Sequence, residues 1–299
     1  MEYLLHLLIL ISIYTILSQS LSLVSGYSGQ ISLAHAGFYG IGAYTTALMS
    51  VNFGTSPLLN MLLALLISGA VAYVVARVAV KTVDDYFVII TLGIQVVMFS
   101  VMNNWQSVTH GPLGIAGIPA FTIFGVAVES KWAFLLLSAF FAALVWFLLH
   151  NLMKSPFGRV LKALSEDEVY TGSLGKNVAQ AKVVSFVISG MLASIAGVLY
   201  AHYITYIDPT SFTLDESIFI LSIVIIGGMR DLWKIFLAAA FLVLLPEALR
   251  FLGMPSSIAA NVRQIIYGLA LILVIYSKAR NKRPTKIEAV HNSIHLRGW

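Results

Sequence analysis

The sequence predicts an all-α protein, a polytopic bundle of transmembrane helices, and three observations carry that reading. Hydrophobic residues make up 59% of the 299-residue chain and charged residues only 10%, against roughly a quarter charged in soluble domains. The apolar residues fall in unbroken runs of roughly 17–25, the length a helix needs to cross a bilayer, and not in the alternating segments of a β-barrel. Lys and Arg gather at some ends of these runs and are missing from others, as loop charges do in membrane proteins. An ordinary soluble enzyme and a disordered chain are both excluded by this composition.

The elements follow in order. The first span is 3–24. It starts after Met1-Glu2-Tyr3, without a positive leader, and is long enough to read as a retained helix rather than a cleaved signal. The second, 33–49, contains Gly37, Gly40 and Gly42, and Gly26 and Gly29 precede it. Two readings stand for these glycines: close helix packing, which small residues permit in lipid, or a broken helix whose free backbone groups line a polar cavity. Gln30, Ser32 and His35 lie in the same stretch and fit the second reading, which makes Gly29, Gln30, Ser32, His35, Gly37 and Gly40 a candidate substrate pathway. His35 also suits a plain interhelical hydrogen bond. Further spans are 58–80, 87–102, 132–152 and 183–203. Segment 216–228 is short for a crossing, and 232–252 and 262–277 complete a set of about eight to ten membrane segments. Gln95, inside the fourth span, is expected to bond between helices. Glu247 and Arg250, three residues apart beside Pro246, are placed on one helix face as an ion pair.

Charge sets the topology. The chain carries 18 Lys and Arg against 13 Asp and Glu, a net +5, explained by basic inside loops without invoking nucleic acid. Segment 153–182 holds Lys154, Arg159, Lys162, Lys176 and Lys182, and the tail 278–299 holds six more basic residues. Both are expected in the cytoplasm, with Arg77, Lys81, Arg230 and Lys234 at further inner ends. Segments 103–130 and 204–216 read as external. The N-terminus comes out external if 33–49 crosses and cytoplasmic if it re-enters. The division is a transmembrane domain, 1–277, and a basic cytoplasmic tail, 278–299, in a multi-pass protein of the cytoplasmic (inner) membrane. Cysteine is absent, which removes disulfides, thiolate metal sites and a cysteine nucleophile.

The central loop is the most polar stretch before the tail. Pro156 and Gly158 break the preceding helix, Ser165 with Glu168 has the spacing of a capping box, and Gly175 offers a helix stop. The loop is either a solvated connector or a docking helix for a cytoplasmic motor. Gly175-Lys176-Asn177 does not complete a phosphate loop, since Tyr170 and Asn177 occupy positions that need Gly and Ser or Thr. The chain is therefore not expected to bind and hydrolyse ATP by that route, no cofactor or metal site is expected, and no catalytic cluster appears.

Four stretches, in order and covering nearly the whole chain, resemble a known family. They run from Gly26-Tyr27-Ser28-Gly29-Gln30 through His35 to Gly42-Ala43-Tyr44; from Ser155-Pro156-Phe157-Gly158-Arg159 through Glu166-Asp167-Glu168 to Leu174-Gly175-Lys176-Asn177-Val178; from Leu199-Tyr200-Ala201-His202-Tyr203 to Asp208-Pro209 and Ser211-Phe212; and over Leu244-Leu245-Pro246-Glu247. Together they are similar to the branched-chain amino-acid ABC permeases of the LivM and LivH type. Two features depart from the family pattern. Tyr170 and Thr171 replace small residues, and Arg230, Asp231 and Lys234 replace small positions of a glycine-rich turn after Gly227-Gly228. The resemblance implies an importer subunit, not an enzyme, worked by two cytoplasmic ABC ATPase subunits that hydrolyse the ATP. It further implies a second, related permease subunit and an extracytoplasmic substrate-binding protein. Arg159, Glu166, Asp167, Glu168, Gly175 and Asn177 would form the ATPase-coupling surface. An ion-gradient-driven secondary transporter is the competing reading. It needs several intramembrane acids, and Glu247 alone is a fair candidate. A membrane-embedded enzyme would need a convergent polar cluster.

Overall fold

The computed structural model describes residues 1–80, 82, 84–123 and 125–251, and the single positions 265, 268, 269, 272 and 276. Lys81, the span 262–277 apart from those five positions, the tail 278–299 and the side chain of Arg250 lie outside the described residues, and with them the expected Glu247–Arg250 pair.

Helix α1 (Glu2–Ser22) runs on through a π-turn at Leu23–Tyr27. Helices α2 (His35–Phe53), α3 (Pro57–Ala79) and α4 (Asp84–Asn104) follow. A short helix α5 (Gln106–Thr109), a 3-10 turn at Gly111–Leu113 and three two-residue strands, β1 (Ile115–Ala116), β2 (Thr122–Ile123) and β3 (Val126–Ala127), lead to helix α6 (Lys131–Lys154). Helices α7 (Pro156–Glu166) and α8 (Glu168–Ser173) form the central loop, and α9 (Val178–Ile204) returns. Strand β4 (Tyr206–Ile207), a 3-10 turn at Pro209–Phe212, α10 (Leu214–Ile226) and α11 (Leu232–Phe251) complete the described chain. Among the described residues five helices are long and apolar enough to cross a membrane: Glu2–Tyr27, Pro57–Ala79, Tyr86–Asn104, Lys131–Lys154 and Val178–Ile204. The all-α membrane bundle predicted from composition is the architecture found.

The bundle has two ends. At one, β1 pairs antiparallel with β4, Ile115 opposite Ile207, so the two segments expected on the external side meet in one clasp. Glu2 pairs with Lys131 at 3.0 Å, and His6 Nδ1 lies 2.7 Å from the Tyr203 hydroxyl. The start of α1 therefore belongs to this clasp end. The opposite, basic end carries α7 and α8, against which the close of the first span folds.

Helix α9 is the axis on which α1, α2 and α3 pack, and small residues explain how. A Cβ on Gly42 would lie 2.1 Å from the Ser194 carbonyl oxygen, and one on Gly197 2.1 Å from that of Tyr39. The α2 and α9 backbones touch, and a side chain at either position would wedge them apart. In lipid, where apolar surface gains nothing from leaving the solvent, such contacts carry the association. Phe38, Phe87 and Phe186 fill the space beside this seam with edge-to-face rings.

Candidate functional site: a helix break at mid-depth

The two unusual spans are discontinuous. Beyond Tyr27 the chain leaves helical geometry for residues 28–34 and resumes it at His35. The His35 ring, through Nε2, is 2.8 Å from Ser189 Oγ, and Ser189 lies near the middle of α9. Helix α2 thus begins halfway along the bundle and runs to the clasp end, where it meets β1 and β4. Segment 33–49 is neither a full helical crossing nor a loop returning to its own side. Residues 28–34 supply one half of the traverse and α2 the other, which puts the start of α1 opposite the basic end. The short segment 216–228 is its counterpart. Irregular chain after β4 descends to α10, a 13-residue helix that completes the passage to the basic end.

The two half-helices meet near their N-termini. Ala36 N–H donates to Ser217 Oγ at 3.0 Å, joining the first turn of α2 to that of α10. A buried helix start leaves several amide donors that need partners, and the side chains of three elements supply them. Gly37 N–H donates to Gln95 Oε1 at 2.7 Å, Leu33 N–H to Thr91 Oγ1 at 3.2 Å and Ala34 N–H to Ser32 Oγ at 3.3 Å. Gln95 Nε2 then donates to the Phe212 carbonyl at 2.8 Å. The interhelical bond expected of Gln95 is present to Gly37, and the same side chain adds one to the 3-10 turn at Phe212.

The six pathway candidates do not share one role. Gly29 takes φ +78° and lies against Ser165, where the chain turns out of the π-turn. Gln30 is buried; its Oε1 accepts from Ser28 Oγ at 3.4 Å, and its Nε2 has no hydrogen-bond partner. His35 is buried with Nδ1 likewise unpartnered. Ser32 caps, as above. Gly37 and Gly40 are packing glycines, their faces filled by Met98 and by Met102 with Phe212. The helix break of one reading and the close packing of the other are both present, at different residues. Sequence reasoning missed Ser217, Thr91, Asp215 and Glu216. Asp215 and Glu216 occupy the first turn of α10, and Asp215 is exposed although Ser217, two residues on, bonds to the mid-depth start of α2. The available signal was that both spans were anomalous, one glycine-rich and one short.

At the basic end the central loop corrects one expectation. Ser165 does not cap a helix. Ser155 caps α7 by accepting from Gly158 N–H, and Asp167 caps α8 by accepting from Tyr170 N–H at 2.8 Å. The Ser165 hydroxyl instead accepts from the Arg230 guanidinium at 2.7 Å. Asn177 caps α9, and Gly175 ends the loop helix at φ +73°. Glu168 pairs with the buried Lys182 at 2.6 Å. Glu166 lies 4.0 Å from Arg230, and Arg159 is exposed, reaching the Lys154 carbonyl at 3.4 Å. On α8 and just after it Val169, Tyr170 and Leu174 are exposed, Val169 at 83%.

Arg230 and Asp231, where the sequence departs from the resembled pattern, have defined places. Arg230 Nε donates to the Gly26 carbonyl at 2.9 Å, and the Tyr27 hydroxyl donates to the Arg230 carbonyl. Close backbone approach survives there, since a Cβ on Gly26 would fall 1.9 Å from the Met229 carbonyl oxygen. Asp231 accepts from the backbone N–H groups of Trp233 and Lys234 at the start of α11. The Lys234 amide holds the Asp231 carboxyl below the usual aspartate value against an opposing effect of burial, with the Lys234 ammonium and the Trp233 amide adding to the lowering.

Residues 3–275 match the family model described as the branched-chain amino acid transport system permease component. The chain is 36% identical over 262 residues to the high-affinity branched-chain amino acid transport system permease proteins LivM of Salmonella typhimurium and of Escherichia coli K12, covering 80% of this chain and 61% of each relative. It spans less than two thirds of the length of those proteins. It is also 28% identical over 215 residues to LivH of Salmonella typhimurium, covering 66% of this chain and 69% of the relative. No solved structure matches. With a family model matching almost from end to end, the chain belongs to the permease components of branched-chain amino acid transport systems.

Proposed function

We propose that this chain is one transmembrane subunit of an ABC importer that passes branched-chain or closely related amino acids into the cytoplasm. Two separate ATPase subunits drive it, a second, related permease chain completes the pathway, and an external binding protein loads it. The observation that carries the reading is the mid-depth meeting of α2 and α10. Discontinuous helices at bilayer mid-depth are where transporters hold substrate; here the Ala36 and Gly37 amides are taken by Ser217 and Gln95, so recognition would fall to side chains at the break. Buried His35 and the exposed Asp215 stand at this level, and buried Gln30 lies on the stretch that leads to it from the basic end. An acid at that depth needs a polar pathway beside it, and its charge suits the ammonium of an amino acid.

The basic end is the cytoplasmic one under this reading, with the tail 278–299 on the same side and the start of α1 outside. Exposed Val169, Tyr170 and Leu174 would seat in a groove of the ATPase, with Arg159 and Glu166 at the rim. The test is uptake of a panel of labelled amino acids by vesicles holding the complete complex. The expected result is uptake that requires ATP and both ATPases. Uptake by this chain without ATPases, driven by a proton or sodium gradient, would replace the reading with a secondary transporter.

A further inference from the structure

A groove of about 550 Å³ opens between α3 and α9 at the basic end, lined by Tyr73, Arg77, Asn177, Gln180, Val184 and Ile188 among others. Its polarity is divided. Arg77, Asn177 and Gln180 lie at the mouth, and Val183, Val184, Val187 and Ile188 follow along α9 toward the middle of the bundle. The Arg77 guanidinium stands over the Tyr73 ring, 5.9 Å from its centroid. Among the residues whose side chains are described, which exclude Asp84 and Asp85, it makes no ion pair, and the described groove lining holds no carboxylate.

The length of the groove limits what can occupy it. From Asn177 to Ile188 the α9 axis rises about 16 Å at 1.5 Å per residue, close to half of a hydrocarbon core about 30 Å thick. A transmembrane helix from another subunit would need a furrow of full depth. A free phosphate ion would use the mouth and leave the aliphatic wall bare. A lipid of one leaflet matches both parts, with phosphate at the mouth and an acyl chain ending near mid-depth.

We propose that this groove holds one anionic phospholipid of the leaflet at the basic end, its phosphate on Arg77 and one acyl chain along Val184, Val187 and Ile188. The functional reading enters only in naming that leaflet the cytoplasmic one, where basic residues between helices meet anionic headgroups. Asn177, which begins α9, closes the mouth, so the lipid would border the central loop.

The experiment measures lipid retention by the full chain and needs no transport. Protein is extracted from vesicles containing phosphatidylglycerol and phosphatidylcholine in equal amounts, and retained lipid is counted by native mass spectrometry. Wild type is expected to keep phosphatidylglycerol preferentially. Arg77→Gln should lower that retention about fivefold, the effect of one basic residue on an anionic lipid. Val184→Trp, which fills the acyl wall, should abolish it, and inorganic phosphate should not displace the lipid. Unchanged retention in both variants, or displacement by phosphate, overturns the proposal. Because the chain has no cysteine, Val184→Cys carries a unique thiol for a photo-crosslinker. Cross-links to lipid support the proposal, and cross-links to this chain or to a second subunit overturn it.

Discussion

Gln95 and Gly37, 58 residues apart in sequence, are joined by a 2.7 Å hydrogen bond from the Gly37 amide to the Gln95 side-chain oxygen. The bond supplies one of the partners that a helix beginning inside a membrane requires, and the same side chain reaches the Phe212 carbonyl. Gln95→Leu is close enough in size to pack yet takes the Gln95 donor from the Phe212 carbonyl and leaves the Gly37 amide only its longer bond to the Ala34 carbonyl. The lost partner at Phe212 should cost about 1–3 kcal/mol. A lowered thermal midpoint in detergent, with normal membrane insertion, is the expected result. Ser217→Ala should show the same loss at smaller size.

Helix glycines should divide by what stands opposite them. Gly42→Ala places a methyl group against the Ser194 backbone, which cannot yield without moving α9, so a cost of about 1–3 kcal/mol or more is expected. Gly93 in α4 has nothing within 4 Å of an added Cβ. Gly93→Ala should be neutral or stabilise by up to about 1 kcal/mol through helix propensity. Unfolding curves of the two variants side by side decide the matter.

The Glu168–Lys182 pair is asymmetric, with the Lys182 side chain 4% exposed and that of Glu168 50%. Removing Glu168 leaves a buried cation uncompensated, whereas removing both charges does not. Glu168→Arg should destabilise the loop and weaken capture of the ATPases in a pull-down. Glu168→Gln combined with Lys182→Met should recover the stability. If it also restores capture, the pair acts only through the shape of the loop, and the direct motor contact assigned to Glu168 is wrong.

At Gly175 the space is open and only the backbone is demanding, since a Cβ placed there would meet nothing within 4 Å while φ is +73°. The cost should therefore rank Val above Ala above Asn, at about 1–2 kcal/mol for a non-glycine residue, and Gly175→Asn should retain ATPase binding. Equal binding by all three variants would make the turn irrelevant to assembly.

Asp231 predicts a pH effect of definite sign. Its folded pKa is lowered from 3.8 by the Lys234 and Trp233 amides. The stabilisation is thus complete above the unfolded value and fades as pH falls through the folded one. Stability should decline on acidification below about pH 4 in wild type, and the decline should flatten in Asp231→Asn.

Much of this fold is legible in the sequence. The runs 132–152 and 183–203 lie inside α6 and α9 because charged or polar residues, such as Lys131 and Lys154, bound an apolar stretch that can only be helical in lipid. Gln95 was readable for the same reason. The break was readable only as an anomaly, because its depth is fixed by partners far along the chain: Ser189 for His35, Ser217 for Ala36 and Thr91 for Leu33. The capping box failed in the same way. Ser165 and Glu168 have the right spacing, but Arg230, 65 residues away, takes the hydroxyl and Lys182 the carboxylate.

Arg230 also makes the basic end a mechanical linkage. One side chain holds Ser165 at the end of α7 and the Gly26 carbonyl just before residues 28–34, while its own carbonyl accepts from Tyr27. It pins three strokes of the chain at one joint: the rod that a motor would push, the hinge that turns toward α2, and the link between α10 and α11. A force that displaces α7 must either carry that hinge with it or pull the pin.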